Sequence, residues 1–344
     1  MGSFKMNPAI QSCSAADFEG VKMKKILLTN RYEGEPLRLL QSAIAGRYEL
    51  RMLDEVSQED LLEKIPEADF LLVSGRLKIT PEVIEKAKKL LMVQRTGVGL
   101  DNIDLEYLSQ KGVPLYVNRG VNADSVAEYA VFLMLEVLRR AYAVNVRLRK
   151  GIWEKQKTGL MTHELRGRTV GIIGMGKIGK RTAELLSVFH VRLLYYDVRR
   201  LAVEEEQQYH VSYCEFDQLL RESDILTLHC SMNQENRYLI SSDELCCMKD
   251  GSILINTARG GLVDTKALAE ALESGKLMGA GIDTFEEEPV SGDNPLLSLE
   301  NAVLSPHIGG VTCEAFARMM ELALKNISTF DAGNYETIAA NRVI

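Results

Sequence analysis

Short runs of branched apolar residues alternate with longer stretches of helical period from Lys24 almost to the end of the chain. Runs that are apolar throughout must be covered on both faces, so the alternation predicts parallel sheets with helices packed on each side. KKILLTN (24–30), YELRML (48–53), ADFLLVSG (68–75), LMVQRT (91–96) and PLYVN (114–118) read as the strands of one open sheet. PEVIEKAKKL (81–90), opening with Thr80 and Pro81, reads as one of the intervening helices. One long helix is expected over about 123–150, where no Gly or Pro interrupts the period. The alternation then restarts with RTVGIIG (168–174), VRLLYYD (191–197), DILTLHC (224–230), GSILINT (251–257), MGAGID (278–283) and AVLSPH (302–307). A final helix is expected from Thr312 to about Phe330.

Two sheets of this size suit 344 residues, more than one core usually serves. A hydrophobic fraction of 46% excludes a mostly disordered chain. The net charge of -7 argues against nucleic acid or an anionic membrane as partner. No apolar run is long enough to span a bilayer, and residues 1–23 lack the basic start and apolar middle of a signal peptide. We expect a flexible extension over 1–23 and a cytoplasmic protein. The six cysteines include no C-x-x-C pair, so neither a disulfide framework nor a metal site is expected.

Gly174-Met175-Gly176-Lys177-Ile178-Gly179 forms a G-x-G-x-x-G between the strand TVGII and a helical stretch. In that setting Gly174 permits the tight turn, Gly176 lets backbone approach a pyrophosphate, and Gly179 lets helix and strand pack closely. Asp197 closes the following strand, where an acid bonds the adenosine ribose hydroxyls and repels a 2′-phosphate. NAD is therefore the expected cofactor, although Arg199 and Arg200 stand close enough to suit NADP.

Ligands of an open parallel sheet lie beyond the carboxyl ends of its strands. The second set of strands is expected to end at Gly174, Asp197, Cys230, Thr257, Asp283 and His307, a row of polar groups beside the dinucleotide fingerprint. Reduction of a 2-oxo acid needs a proton donor for the carbonyl oxygen and a cation for the carboxylate. His307 can be the acid and base, Glu288 can hold its second ring nitrogen and favour the imidazolium, and Arg259 can clamp the carboxylate. Singly these are ordinary residues; together they suggest an oxidoreductase acting on small 2-oxo acids.

INTARGGLVDTKALAEALESGKLMGAGIDTFEEEP (255–289) and LSPHIGG (304–310) resemble the D-isomer-specific 2-hydroxyacid dehydrogenase family, as do GIIGMGKIG and QRTGVGLDNID (94–104). The resemblance implies two α/β domains, Rossmann-like or flavodoxin-like. A cofactor domain over 123–311 would be inserted into a substrate domain made of 24–122 and 312–344. It implies a homodimer, D stereochemistry, and the roles named above for Arg259, Glu288 and His307. Lys177, Ile178, Cys230, Thr257, Ala258, Asp283, Gly309 and Gly310 would be further cofactor contacts. Ser74, Gly75, Arg76, Val98 and Gly99 would meet the substrate alongside Arg259.

There are departures. His229-Cys230-Ser231 replaces the family's usual His-x-Pro. Phosphoglycerate dehydrogenases of the family carry an arginine where Ser74 stands, although Arg95 matches a second phosphate-binding arginine and Arg76 is an alternative to the first. No regulatory domain is expected after the last helix. A 2-hydroxyacid dehydrogenase acting on a small or apolar acid is therefore the leading expectation. A 3-phosphoglycerate, glyoxylate or hydroxypyruvate enzyme and an NADH-sensing, corepressor-like binding protein stand as alternatives.

Overall fold

The structure, a computed structural model, describes residues 23–344 apart from 45 and 76. The extension expected over 1–23 lies, but for Met23, outside the described residues, as does Arg76. The chain divides into two compact units, one formed by the residues up to Arg119 together with Phe316–Ile344, the other by Gly120–Ala315.

The first unit holds a parallel sheet of five strands: β1 (Lys24–Leu28), β2 (Tyr48–Met52), β3 (Phe70–Val73), β4 (Met92–Arg95) and β5 (Leu115–Val117). Their order is β2-β1-β3-β4-β5, with the order reversing beside β1. Successive side chains point to opposite faces, so Leu27, Leu71, Val73 and Val93 build one core while Ile26, Leu28, Phe70 and Leu72 build the other. The helix Cys313–Asp331 covers the second face through Met320, Ala323, Leu324 and Ile327.

The second unit carries seven parallel strands: β6 (Thr169–Ile173), β7 (Arg192–Tyr196), β8 (Val211–Tyr213), β9 (Ile225–Leu228), β10 (Ser252–Asn256), β11 (Leu277–Ile282) and β12 (Ala302–Leu304). Their order is β12-β11-β10-β9-β6-β7-β8, so the chain changes direction between β6 and β9. This is the doubly wound Rossmann arrangement with one further strand. Strands β6, β9 and β10 are buried along their whole length, as continuous apolar runs require.

Three sequence expectations need correction. Strand β8 was not expected: three residues at a sheet edge, only Val211 of them buried, leave no pattern to read. The helix over 81–90 stops at Lys86, although Thr80 caps its start as expected by accepting from Val83 N–H. The long helix over 123–150 is two helices, Ala123–Arg139 and Ala141–Arg149, broken at Arg140. Arg140 adopts the left-handed conformation (φ 50°) without a glycine, and the Glu136 carboxylate accepts Tyr142 N–H at 2.6 Å, capping the second helix. Side-chain capping thus supplies a break that Gly or Pro usually signals.

Because an L-residue in this conformation costs on the order of 1 kcal/mol, Arg140→Gly should stabilise the second unit by up to about 1 kcal/mol. Arg139→Gly, one residue earlier and still helical, should destabilise it by about the same amount. Opposite shifts in thermal midpoint are expected, and shifts of the same sign would refute the assigned break.

Candidate functional site

The glycine fingerprint occupies the turn from β6 into the helix Lys177–Ser187. Gly174 has φ 94°, and a Cβ there would fall 2.6 Å from Cys230 N, so both conformation and space demand glycine. A Cβ on Gly179 would lie 2.1 Å from Gly174 O, which lets the helix press onto the turn. Around Gly176, by contrast, a Cβ would meet nothing within 4 Å. Gly176 is the N-cap of the helix that opens with Lys177 and Ile178, and as a glycine it places no side chain over their amides. Open space and the positive end of a helix suit a pyrophosphate. The Lys177 side chain lies over Gly120.

Asp197 follows β7. Its carboxylate accepts Met175 N–H at 2.6 Å and Arg199 N–H at 3.0 Å, which ties it to the glycine turn and leaves acceptor capacity for hydroxyl groups. Arg200, considered above as a 2′-phosphate partner, is paired with Glu206 at 2.8 Å and lies over the Tyr213 ring.

The ends of β9, β10 and β11 bring further polar groups to the same edge. His229 Nδ1, Thr257 Oγ1 and Thr284 Oγ1 are buried without a hydrogen-bond partner. Unpaired buried groups are costly, so three of them along one edge fit a polar ligand lying across it. With the glycine turn and Asp197, these residues fit NAD. Burial pushes His229 down to about 3, so its ring is neutral and offers a hydrogen bond rather than charge. Burial likewise pushes the Cys230 thiol up to about 11, with Asp197 adding to the shift, so Cys230 offers shape rather than nucleophilicity.

His307 and Glu288 meet in this unit. The two oxygens of Glu288 lie 2.9 and 3.1 Å from His307 Nδ1, and Glu288 also accepts Phe285 N–H at 3.1 Å. His307 has φ 58°, and the turn that carries it is held from below by Asp283. The Asp283 carboxylate, 1% exposed, accepts the Ser305 hydroxyl at 2.7 Å, Ile308 N–H at 2.9 Å and Gly309 N–H at 2.8 Å. Asp283, expected as a cofactor contact, thus spends most of its acceptor capacity on the turn. Gly309 and Gly310 are tight, with built Cβ atoms 2.9 Å from Asp283 Oδ2 and 2.5 Å from Asn122 Nδ2.

Arg259 follows β10 in a turn that also carries Thr257 and Ala258, both buried. Its Nη1 donates to the Ala258 carbonyl at 2.7 Å. Asn256, which sequence reasoning passed over, brackets this turn. Its only sequence signal is a polar residue closing an apolar strand.

The remaining expected substrate residues belong to the first unit. Ser74 is buried after β3; Thr29 Oγ1 donates to its carbonyl at 2.7 Å and accepts its N–H at 2.9 Å, while its hydroxyl lies 2.8 Å from Tyr32 Oη. Gly75 has φ 81°. Arg95 donates to the carbonyls of Val73, Gly75 and Gly99, joining the loop of Ser74 and Gly75 to that of Val98 and Gly99.

The family model described as the D-isomer specific 2-hydroxyacid dehydrogenase, NAD binding domain, matches residues 131–309. The hydroxypyruvate reductase of Thermotoga maritima is 39% identical over 279 residues, 80% of this chain and 89% of that protein. The glyoxylate reductase of Thermofilum pendens is 39% identical over 290 residues, 84% of this chain and 86% of that protein. Among solved structures, D-lactate dehydrogenase from Aquifex aeolicus, in complex with NAD and lactic acid, is similar at a TM-score of 0.82 and 29% identity, covering 93% of this chain and 99% of that one. Glycine turn, strand-end row and paired His307 and Glu288 agree with these likenesses, and the chain belongs to the D-isomer specific 2-hydroxyacid dehydrogenase family, whose cofactor is NAD.

Proposed function

We propose that the chain reduces a small, unphosphorylated 2-oxo acid of the glyoxylate or hydroxypyruvate class to its D-2-hydroxy acid, with His307, Glu288 and Arg259 carrying the chemistry. The observation that carries the reading is the contact of His307 Nδ1 with both Glu288 oxygens at 2.9 and 3.1 Å. It leaves Nε2 to face a substrate, at a strand end of the sheet whose glycine turn fits the dinucleotide.

NAD supplies the hydride in reduction and takes it back in oxidation. Lys177 and Ile178 would hold its pyrophosphate and Asp197 its ribose, and Thr257, Ala258, Gly309 and Gly310 would be further contacts. His307 donates the proton from Nε2 to the carbonyl oxygen in reduction and accepts it in oxidation. Glu288 holds Nδ1, fixing the orientation of the ring and stabilising its charged form. Arg259 binds the carboxylate through two donors and polarises the carbonyl.

Arg95 supports an unphosphorylated substrate. Its guanidinium is given to three backbone carbonyls, and a buried Ser74 stands where a phosphate would need an arginine. Hydroxypyruvate and glyoxylate reductases are similar to this chain, as are D-3-phosphoglycerate dehydrogenases, so the reading rests on the loop rather than on these likenesses. An NADH-sensing corepressor is the weaker reading, because such a protein has no use for the paired His307 and Glu288.

We place the domain boundaries at Asn122 and Thr312, and propose a homodimer joined through the cofactor domain. Supporting the dimer, the helix Ala141–Arg149 buries none of its residues, and Trp153 and Leu160 just beyond it are 78% and 87% exposed. A cytoplasmic setting suits the five free cysteines among the described residues. No helix among the described residues is long and apolar enough to cross a membrane.

A panel of 2-oxo acids with NADH tests the reading: glyoxylate and hydroxypyruvate should turn over better than phosphohydroxypyruvate, and binding of NADH with no turnover of any acid would refute it. His307→Ala should lower kcat on the order of 10²-fold or more, and an unchanged kcat would remove His307 from its role. NADH should be preferred over NADPH, on the order of 10²-fold in kcat/KM, and Asp197→Asn should narrow the gap; an unmodified protein that prefers NADPH would overturn the cofactor assignment. Light scattering should give twice the chain mass, falling to one with Trp153→Lys and Leu160→Lys together; a monomer at the outset would refute the dimer.

A further inference from the structure

The geometry points to Asn256 as the positioning residue that holds Arg259 in its substrate-binding arrangement, an inference that rests on the proposed role of Arg259. Asn256 is the last residue of β10 and is 1% exposed. An amide buried so completely must place both its acceptor and its donor groups. It places both on the turn of Arg259. Asn256 Oδ1 accepts Ala258 N–H at 3.0 Å, and Asn256 Nδ2 donates to the Arg259 carbonyl at 2.9 Å.

These two bonds fix the Thr257–Ala258 and Arg259–Gly260 peptides, and so hold at both ends the Ala258–Arg259 peptide that lies between them. The Ala258 carbonyl, which accepts Arg259 Nη1 at 2.7 Å, is thereby set in direction, and so is the guanidinium that rests on it. The Arg259 carbonyl also accepts Leu262 N–H, closing the short turn that follows. On the far side, Gly260 is pressed against the loop leading to Glu288; a Cβ there would lie 1.9 Å from the Phe285 carbonyl carbon and 2.4 Å from Glu286 N. The turn is therefore seated between a buried amide and a neighbouring backbone, and Asn256 is the side chain that bonds it on both sides of Ala258 and Arg259. Asn256 touches the turn rather than the reacting atoms, so it acts through Arg259.

A double-mutant cycle on the whole enzyme tests this, with KM and kcat measured for glyoxylate and hydroxypyruvate and Kd for NADH read from nicotinamide fluorescence. Asn256→Ala should raise the 2-oxo acid KM about tenfold or more, because a guanidinium displaced by a fraction of an ångström loses its two-point contact. NADH Kd should stay within about twofold. Added to Arg259→Ala, the same substitution should change kcat/KM by less than about twofold, since the residue it acts through is gone. Asn256→Ser keeps an acceptor for Ala258 N–H but lacks the reach of the donor, and should fall between; should Asn256→Ala not fold, the cycle is read with this variant. Additive penalties in the Arg259→Ala background, or an equal weakening of NADH, would overturn the proposal while leaving Arg259 in its role. If Arg259→Ala alone leaves the KM unchanged, the role of Arg259 itself falls, and the proposal with it.

Discussion

A strand buried on both faces has most room for a polar group where it stops. In the second unit β9, β10 and β11 run parallel, so every such stopping place falls on one edge, and that edge receives His229, Asn256, Thr257, Asp283 and Thr284 in succession. A buried polar side chain left unpaired costs about 1–3 kcal/mol. Asn256 and Asp283, each 1% exposed, meet this demand by bonding nearby turns, Asn256 the one that follows it and Asp283 the one that follows β12. Satisfying the edge of the sheet and shaping the turns of the site are therefore one physical event.

The cost falls on the backbone as well. His307 sits at φ 58°, where a residue with a Cβ is disfavoured by on the order of 1 kcal/mol, and the three bonds to Asp283 offset it. Those bonds take the hydroxyl and amides around His307 and leave its imidazole to Glu288 alone. The ring is held by one charged partner above a rigid turn, which is what a group that must gain and lose a proton at a fixed point requires.

The parallel architecture was legible because apolar runs such as TVGII and SILIN admit no other burial, and the glycine turn because three glycines stand between a strand and a helix. Arg259, Glu288 and His307 were singled out by the row of strand ends and given roles by the long match over 255–310, and the structure brings His307 and Glu288 into contact. Other features were hidden for specific reasons. The break at Arg140 depends on Glu136 reaching a free amide, a capping contact without Gly or Pro to mark it. Strand β8 is too short to carry a period. Asn256 and Asp283 look alike in sequence, polar residues closing apolar strands, and only the hydrogen bonds separate a brace from a ligand. Arg95 shows a further limit: its three bonds to backbone carbonyls could not be read from the sequence, where it stands only as an arginine matching a phosphate-binding position.

That last case bears on how such a protein comes to prefer one acid over another. A guanidinium joined to the carbonyls of Val73, Gly75 and Gly99 stiffens the two loops that carry them. On the proposed reading these loops offer backbone amides to a carboxylate, and discrimination falls to the space that small residues such as Gly75 and Gly99 leave around them. An arginine in place of Ser74 would add a cation and remove the contact of the hydroxyl with Tyr32, while the clip that Thr29 makes on the backbone of that position does not depend on the side chain.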